Sequence, residues 1–243
     1  MKHLLTSALG LGAALLLTGC DHDHAWSDRV DGTGPSVSET RTVADFDALR
    51  LDAPAEVHLT QGSPAALRVE GQRNVLDALR TDVRDNRLRV YFSPGNVRYS
   101  EPVHVYVTIP TLRDVDVSGA GTVRGTSAWA AADLDLRLSG AGTVALPQLT
   151  AETLETTVSG AGTVRLGGTV RHHRLRLSGA GTVEAFDLSH ATADVELSGA
   201  SDVRLTVAQE LHANISGSGV VRYRGRPAVT ARVSGAGRVI DAN

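Results

Sequence analysis

Asp114, Asp135 and Glu155 recur at steps of 21 and 20 residues, and Asp116 stands two places beyond the first of them. Carboxylates at such regular spacing could support two kinds of chemistry. A calcium ion takes six to eight oxygen ligands in a flexible geometry, which suits a cluster of acids. Hydrolysis of a glycosidic bond takes a pair of carboxylates flanking the scissile bond. A third arrangement does no chemistry at all: Arg137, in the next column, could neutralise the acids and leave a solvated ion-pair face. Carboxylates about 5 Å apart repel by roughly 0.8 kcal/mol even in a water-like dielectric, so some counter-charge is expected.

The acids keep their spacing because each stands four residues before a serine, and the serines open a repeated motif. SGAGTV spans Ser118 to Val123, and near-copies begin at Ser139, Ser159, Ser178, Ser198, Ser216 and Ser234, at steps of 21, 20, 19, 20, 18 and 18 residues. A period of this length is one coil of a solenoid, in which each unit buries its apolar stripe against the units on either side. The acidic column continues through the later units as Arg174, Asp194, His212 and Thr230.

Aligning the units on serine separates their duties. The residue before serine is Val117, Leu138, Val158, Leu177, Leu197, Ile215 and Val233, and valine stands five places after it in every unit. These two columns share strand parity and so face one interior. The same parity puts both glycine columns inward and turns serine, alanine and threonine outward. Ser118, Ser139, Ser159 and Ser178, with Thr122, Thr143, Thr163 and Thr182, then form hydroxyl ladders. Such ladders could face a polysaccharide or bridge neighbouring coils.

A helical reading fails because valine recurs where helices want leucine, and two glycines per unit would cost each short helix about 2 kcal/mol. The expected fold is all-β: a single-stranded parallel β-helix of about 18–21 residues per coil, wound right-handed as parallel crossovers generally are. Seven coils at the strand separation rise roughly 30 Å.

The region upstream is less regular. Residues 41–111 show period-two strands such as Leu88, Val90, Phe92 and Val103, Val105, Val107, Ile109, punctuated by Gly62-Ser63-Pro64 and Asp85-Asn86. They are expected to form degenerate coils that cap the solenoid, with a short helical segment at 74–80 capped by Asn74. Residues 112–243 hold the seven SGAG-type repeats.

The amino terminus has the pattern expected of an exported lipoprotein. Lys2 and His3 precede an apolar run from Leu4 to Leu17, which ends in Leu17-Thr18-Gly19-Cys20, a lipobox pattern. Residues 1–19 are therefore expected as a signal peptide and Cys20 as the lipidation site, with attached acyl chains anchoring the protein in a membrane. Cys20 is the single cysteine, which rules out an internal disulfide. Residues 20–40, rich in Asp, His, Ser and Gly, are expected as a flexible tether, where His22 and His24 alternate with acids in a pattern that could hold copper or zinc loosely.

Composition narrows the partners. With 24 basic and 27 acidic residues the chain is mildly acidic, which removes any general attraction to nucleic acid. Aromatic residues make up 4%, too few for a large stacking platform for sugars or bases. No cofactor or resident metal is expected in the folded domain.

The serine-glycine-small-glycine units, the segments Asn74-Val75-Leu76 and Asn86-Arg87-Leu88-Arg89-Val90, and the late run from Gly217-Ser218-Gly219 to Tyr223-Arg224-Gly225-Arg226-Pro227 together resemble the auto-transporter adhesin head domain, the head GIN domain. The resemblance covers about residues 41–240. It implies a pectin-lyase-like β-helix without the catalytic residues of the enzymes that share that shape, and a role in adhesion.

The functional expectation is a non-catalytic lipoprotein of the bacterial cell envelope, at the periplasmic face or the cell surface. It would act as an adhesin-like binding or scaffolding module, meeting a polysaccharide or an envelope protein through Asp114, Asp116, Asp135, Glu155 and the serine ladder. The alternative is a carbohydrate-active enzyme using the acidic column, with Arg137 or Arg174 as partner. No Gly-x-Ser-x-Gly elbow is present, and no long insertion interrupts the repeats to build a cleft. Trp129 reads as part of a lone connecting segment, and His172 and His173 as solvated turn residues.

Overall fold

The computed structural model describes residues 29–243 apart from Pro94. The leader, Cys20 and the His22/His24 segment lie outside the described residues. The first part of the fold runs β1 (Val30–Asp31), β2 (Ser36–Arg41), β3 (Ala48–Leu51), β4 (Glu56–Gln61), β5 (Ala66–Gln72), α1 (Arg73–Ala78), β6 (Leu79–Arg84), β7 (Arg87–Phe92), β8 (Val97–Arg98) and β9 (His104–Ile109). The repeats follow as β10 (Asp114–Val117), β11 (Thr122–Gly125), β12 (Trp129–Leu138), β13 (Thr143–Val158), β14 (Thr163–Leu177), β15 (Thr182–Leu197), β16 (Asp202–Gly217), β17 (Val220–Arg224), β18 (Ala228–Gly235) and β19 (Arg238–Asp241).

From β10 onward the chain is a parallel β-solenoid in which equivalent residues of successive coils pair in register. Val117 pairs with Leu138, Leu138 with Val158, Val158 with Leu177, Leu177 with Leu197 and Leu197 with Ile215. The valine column is equally regular, from Val123 through Val144, Val164, Val183 and Val203 to Val221. All these side chains are buried, as strand parity requires. Coil length varies without disturbing either column because the register shifts lie between them, for example between Leu146 and Leu149, Arg165 and Gly167, and Ala185 and Ser189. Extra residues are absorbed there as bulges.

The SGAG corner is itself part of the ladder. Ala161 N–H donates to the carbonyl of Gly140 (3.1 Å), and Ala180 N–H to that of Gly160 (3.1 Å). Each first glycine therefore sits directly on the backbone of the coil before it. A Cβ on Gly140 would lie 2.2 Å from the Gly119 oxygen, and one on Gly160 2.2 Å from the Gly140 oxygen. The second glycine column faces the interior instead, where a Cβ on Gly162 would lie 2.4 Å from Leu138 Cδ2. The expectation that both columns point inward holds only for the second. The first is glycine because a backbone carbonyl occupies the space.

The upstream region departs from a simple run of coils. β7 and β9 form the outermost coil, β3 and β4 lie beneath them, and β10 and β11 follow, so spatial order is not chain order. β5 then pairs antiparallel with β9 and β2 with β5, while β6 pairs antiparallel with β7. Residues 41–111 thus form a mixed cap rather than degenerate coils in succession. The reversed strands pair with the edges that the outermost coil would otherwise leave open at this end. Asp85 (φ 50°) and Asn86 (φ 57°) make the tight turn between β6 and β7, a conformation that these two residue types tolerate.

Two further expectations change here. The tether expected over residues 20–40 ends earlier, because Ser36–Arg41 form β2 with alternating exposure and close the cap edge beside β5. The helix α1 is capped at Gln72, without a side-chain bond, rather than at Asn74. Asn74 instead donates to the Asp31 carbonyl (2.6 Å) and accepts from Thr33 N–H (3.1 Å), tying the incoming chain to the cap. At the other end nothing covers the stack among the described residues: β18 is exposed along its whole length, including Val229 and Val233.

Candidate functional site

The solenoid register places the expected acids side by side. Asp114 pairs with Asp135 and Asp135 with Glu155, then Glu155 with Arg174 and Arg174 with Asp194. All lie on one outward sheet face with Asp116 and Arg137, whose strand positions pair directly. Each expected acid meets an arginine. Asp114, 7% exposed in its side chain, is held by Arg87 (2.6 Å) and by Arg137. Arg50 reaches Asp116 (3.2 Å), Arg137 also binds Asp135, and Arg176 binds Glu155. The arrangement is the ion-pair face, not an oxygen-only cage. Burial pushes the Asp135 carboxyl above the usual carboxylate range; Arg137 opposes that, and the neighbouring Asp114 and Glu155 add to it.

The hydroxyl ladders also face outward. Ser139, Ser159 and Ser178 are exposed, and Thr122, Thr143, Thr163 and Thr182 are half-buried in register on the adjacent face. Ser118 hydrogen-bonds to Asp52, so at this position a hydroxyl does bridge coils. Ser139, Ser159 and Ser178 make no side-chain hydrogen bond among the described residues.

Two histidine groupings escape a reading by columns. His172 and His173 lie within β14 rather than in a turn, and His173 is buried, unlike the exposed His172, in a polar chain through the core. Thr156 Oγ1 lies 3.0 Å from His173 Nε2, His173 Nδ1 lies 2.8 Å from His190 Nε2, and His190 Nδ1 lies 2.9 Å from the Thr206 carbonyl. A carbonyl only accepts, so His190 Nδ1 carries a proton and its neutral Nε2 accepts from His173 Nδ1–H. His173 Nε2 then accepts from the Thr156 hydroxyl. Every nitrogen is satisfied with both rings neutral, and an extra proton would have no acceptor. Burial accordingly drives the His173 pKa well below its ordinary value, with His190 adding to the effect. Burial also lowers His190 to about 4, against a raising bond to Thr206. Trp129, expected in a connecting segment, opens β12 and is buried in the same core.

The second grouping lies on the cap. Glu56 and His104 are direct partners across the parallel pair β4/β9, and His58, two places beyond Glu56, projects from the same face. His58 Nε2 is 3.1 Å from His104 Nδ1, and the Glu56 carboxylate is 3.9 Å and 3.6 Å from those nitrogens. His58 stacks on Tyr106 (4.8 Å between centroids, 14° between planes). Burial lowers the His58 pKa; Glu56 opposes this, while His104, Arg124 and Arg68 add to the lowering. The separation of 46 positions between His58 and His104 hides this cluster from any search by spacing, because the chain order of the coils is scrambled in the cap.

The chain is similar to known proteins in family and in fold. A family model described as "Putative auto-transporter adhesin, head GIN domain" matches residues 45–227. The chain belongs to this family. Among solved structures, a putative adhesin from Bacteroides fragilis superposes with a TM-score of 0.82 at 23% identity, covering 86% of this chain and 98% of that one. A putative lipid binding protein from Parabacteroides distasonis gives 0.73 at 19% identity, covering 87% and 98%. A putative adhesin from Parabacteroides merdae gives 0.68 at 22%, covering 88% and 98%. At these identities the likeness establishes the fold. None of the curated proteins compared with the chain matches it.

Proposed function

We propose that the chain is a non-catalytic, adhesin-like binding module, held at the bacterial envelope by acyl chains on Cys20, whose ligand is a polysaccharide laid along the hydroxyl ladders. The observation that carries this reading is the row formed by Ser139, Ser159 and Ser178, exposed in successive coils and free of side-chain partners among the described residues. Donors and acceptors repeating at the strand separation suit a ligand that itself repeats. Membership of the head GIN family supports an adhesin-like role, and its lipoprotein leader would place the module on an envelope surface. The ion pairs count against the enzymatic alternative, because a general acid or base must be free to exchange its proton with substrate. Asp114 and Asp135 are instead bound to Arg87 and Arg137.

A glycan-array screen, paired with turnover assays on acidic polysaccharides, tests the reading. Saturable binding that weakens in a Ser139→Val, Ser159→Val, Ser178→Val triple variant, without product, is the expected result. Product formation abolished by Asp135→Ala would establish the enzyme instead. Palmitate labelling of the wild type that Cys20→Ala removes is the matching expectation for the anchor.

A further inference from the structure

We propose that Glu56, His58 and His104 form a binding site for a divalent transition-metal ion of the zinc class on the outer face of the cap. The three donors come from two hydrogen-bonded strands, Glu56 and His58 from β4 and His104 from β9, so the sheet holds their backbones in fixed register. Zinc takes imidazole nitrogens at 2.0–2.1 Å, and tetrahedral geometry then separates two such nitrogens by about 3.3 Å. His58 Nε2 and His104 Nδ1 stand 3.1 Å apart. The nitrogen-to-carboxylate distances of 3.9 and 3.6 Å exceed that ideal by only a few tenths of an ångström, within reach of a rotation of the Glu56 side chain. Two nitrogens and one oxygen form a donor set suited to zinc or nickel rather than to calcium or magnesium.

The surroundings orient the donors. His58 lies flat on Tyr106, and the Arg68 guanidinium sits 3.7 Å from the centroid of the same ring, so His58 has one packed orientation. Arg124 is 3.4 Å from Glu56 and is the competing cation at the site. Without a metal, the close approach of the rings is a single hydrogen bond between two imidazoles, and Arg124 is left as the hydrogen-bond donor to Glu56. A metal bound by both nitrogens and the carboxylate satisfies all three acceptors together. Three protein donors also leave one tetrahedral position open to water or to an incoming ligand. The site stands at the head of the threonine ladder, since Glu56 pairs with Thr122 and Thr122 with Thr143.

Zinc titration of the untagged, full-length chain by calorimetry tests the inference, with nickel as a second probe. One ion per chain is expected, with affinity falling at least tenfold in both His104→Gln and Glu56→Gln. A His22→Ala, His24→Ala variant should keep that ion, because its ligands are on the cap and not in the amino-terminal segment. Zinc should raise the melting temperature of the wild type and of the His22/His24 variant, but not of His104→Gln. Circular dichroism of each variant establishes that it is folded. Unchanged affinity in folded His104→Gln, loss of binding in the His22/His24 variant, or no binding of either metal by the wild type would each overturn the proposal.

Discussion

The cap (residues 30–109) and the repeats (residues 114–241) solve one packing problem in opposite ways. In the repeats, residues outside the bulges have their counterparts in the next coil, so Val144 meets Val164 and Glu155 meets Arg174. In the cap, the strands that touch are often reversed, β2 against β5 and β5 against β9 at long sequence distance and β6 against β7 across a two-residue turn. A stack of like units leaves open hydrogen-bonding groups on its last strand. The cap gives up periodicity to close that edge, and it is also where a His–His–Glu cluster arises from residues that no repeat relates.

The difference extends to the cores. The cap interior is almost wholly aliphatic, whereas the repeat interior carries Thr156, His173 and His190. Acid should therefore attack the repeats first. A histidine whose folded pKa is depressed binds fewer protons folded than unfolded, so its contribution is complete above the unfolded pKa of about 6.5 and is lost as pH falls toward the folded value. For His190, with a folded pKa of about 4, the loss between those limits is about 3 kcal/mol, and His173 adds to it in the same direction. Urea unfolding at pH 7.5, 6 and 4.5 should show this decline. In a His173→Leu, His190→Leu variant the slope over that window should flatten, whatever the variant's stability at neutral pH. Equal slopes in the two proteins would remove the buried pair as the acid-sensitive element.

How far each half could be read from sequence follows from the same contrast. In the repeats, one alignment on serine gave the strand faces and both apolar columns, because a parallel in-register stack turns sequence columns into spatial columns. It missed His173 and His190 because their hydrogen bonds run obliquely across the interior, linking residues of different columns. It also assigned the first glycines inward, since parity says nothing about a corner where backbone stacks on backbone. In the cap, alternation marked strands such as Leu88 to Phe92, but pairing depended on hairpins and a reversed coil order that no period records. Glu56, His58 and His104 were therefore invisible as a group. The acids and serines of the candidate surface were legible in position, because both columns stay in register from coil to coil.

Backbone stacking gives a second way to separate the halves. Gly160→Ala places a methyl 2.2 Å from the Gly140 carbonyl oxygen, which is pinned by its own bond to Ala161 N–H and cannot move without opening the corner. Overpacking of this kind costs about 1–3 kcal/mol. Gly95→Ala in the cap, where nothing lies within 4 Å of the added carbon, should change stability by less than about 0.5 kcal/mol. Chemical denaturation of the two variants compares them directly. Matching losses would mean that the repeat corners are not tightly stacked.

The smallest effect belongs to the outer faces, where both halves should behave alike. Arg176 bridges Glu155 and Glu196 across three coils, with 43% of its side chain exposed. Exposed pairs of this kind are worth about 0.2–1 kcal/mol, and salt weakens them. Arg176→Ala should therefore lower stability by roughly 0.5 kcal/mol at low ionic strength and by less at 0.5 M salt. Arg68→Ala, which removes the Glu70 pair from the cap surface (3.0 Å), should fall in the same small, salt-sensitive range once its stacking on Tyr106 is matched by Arg68→Gln. A loss above about 2 kcal/mol at Arg176 would show that the ion-pair ladder holds the coils together. A small loss leaves that task to the aliphatic columns.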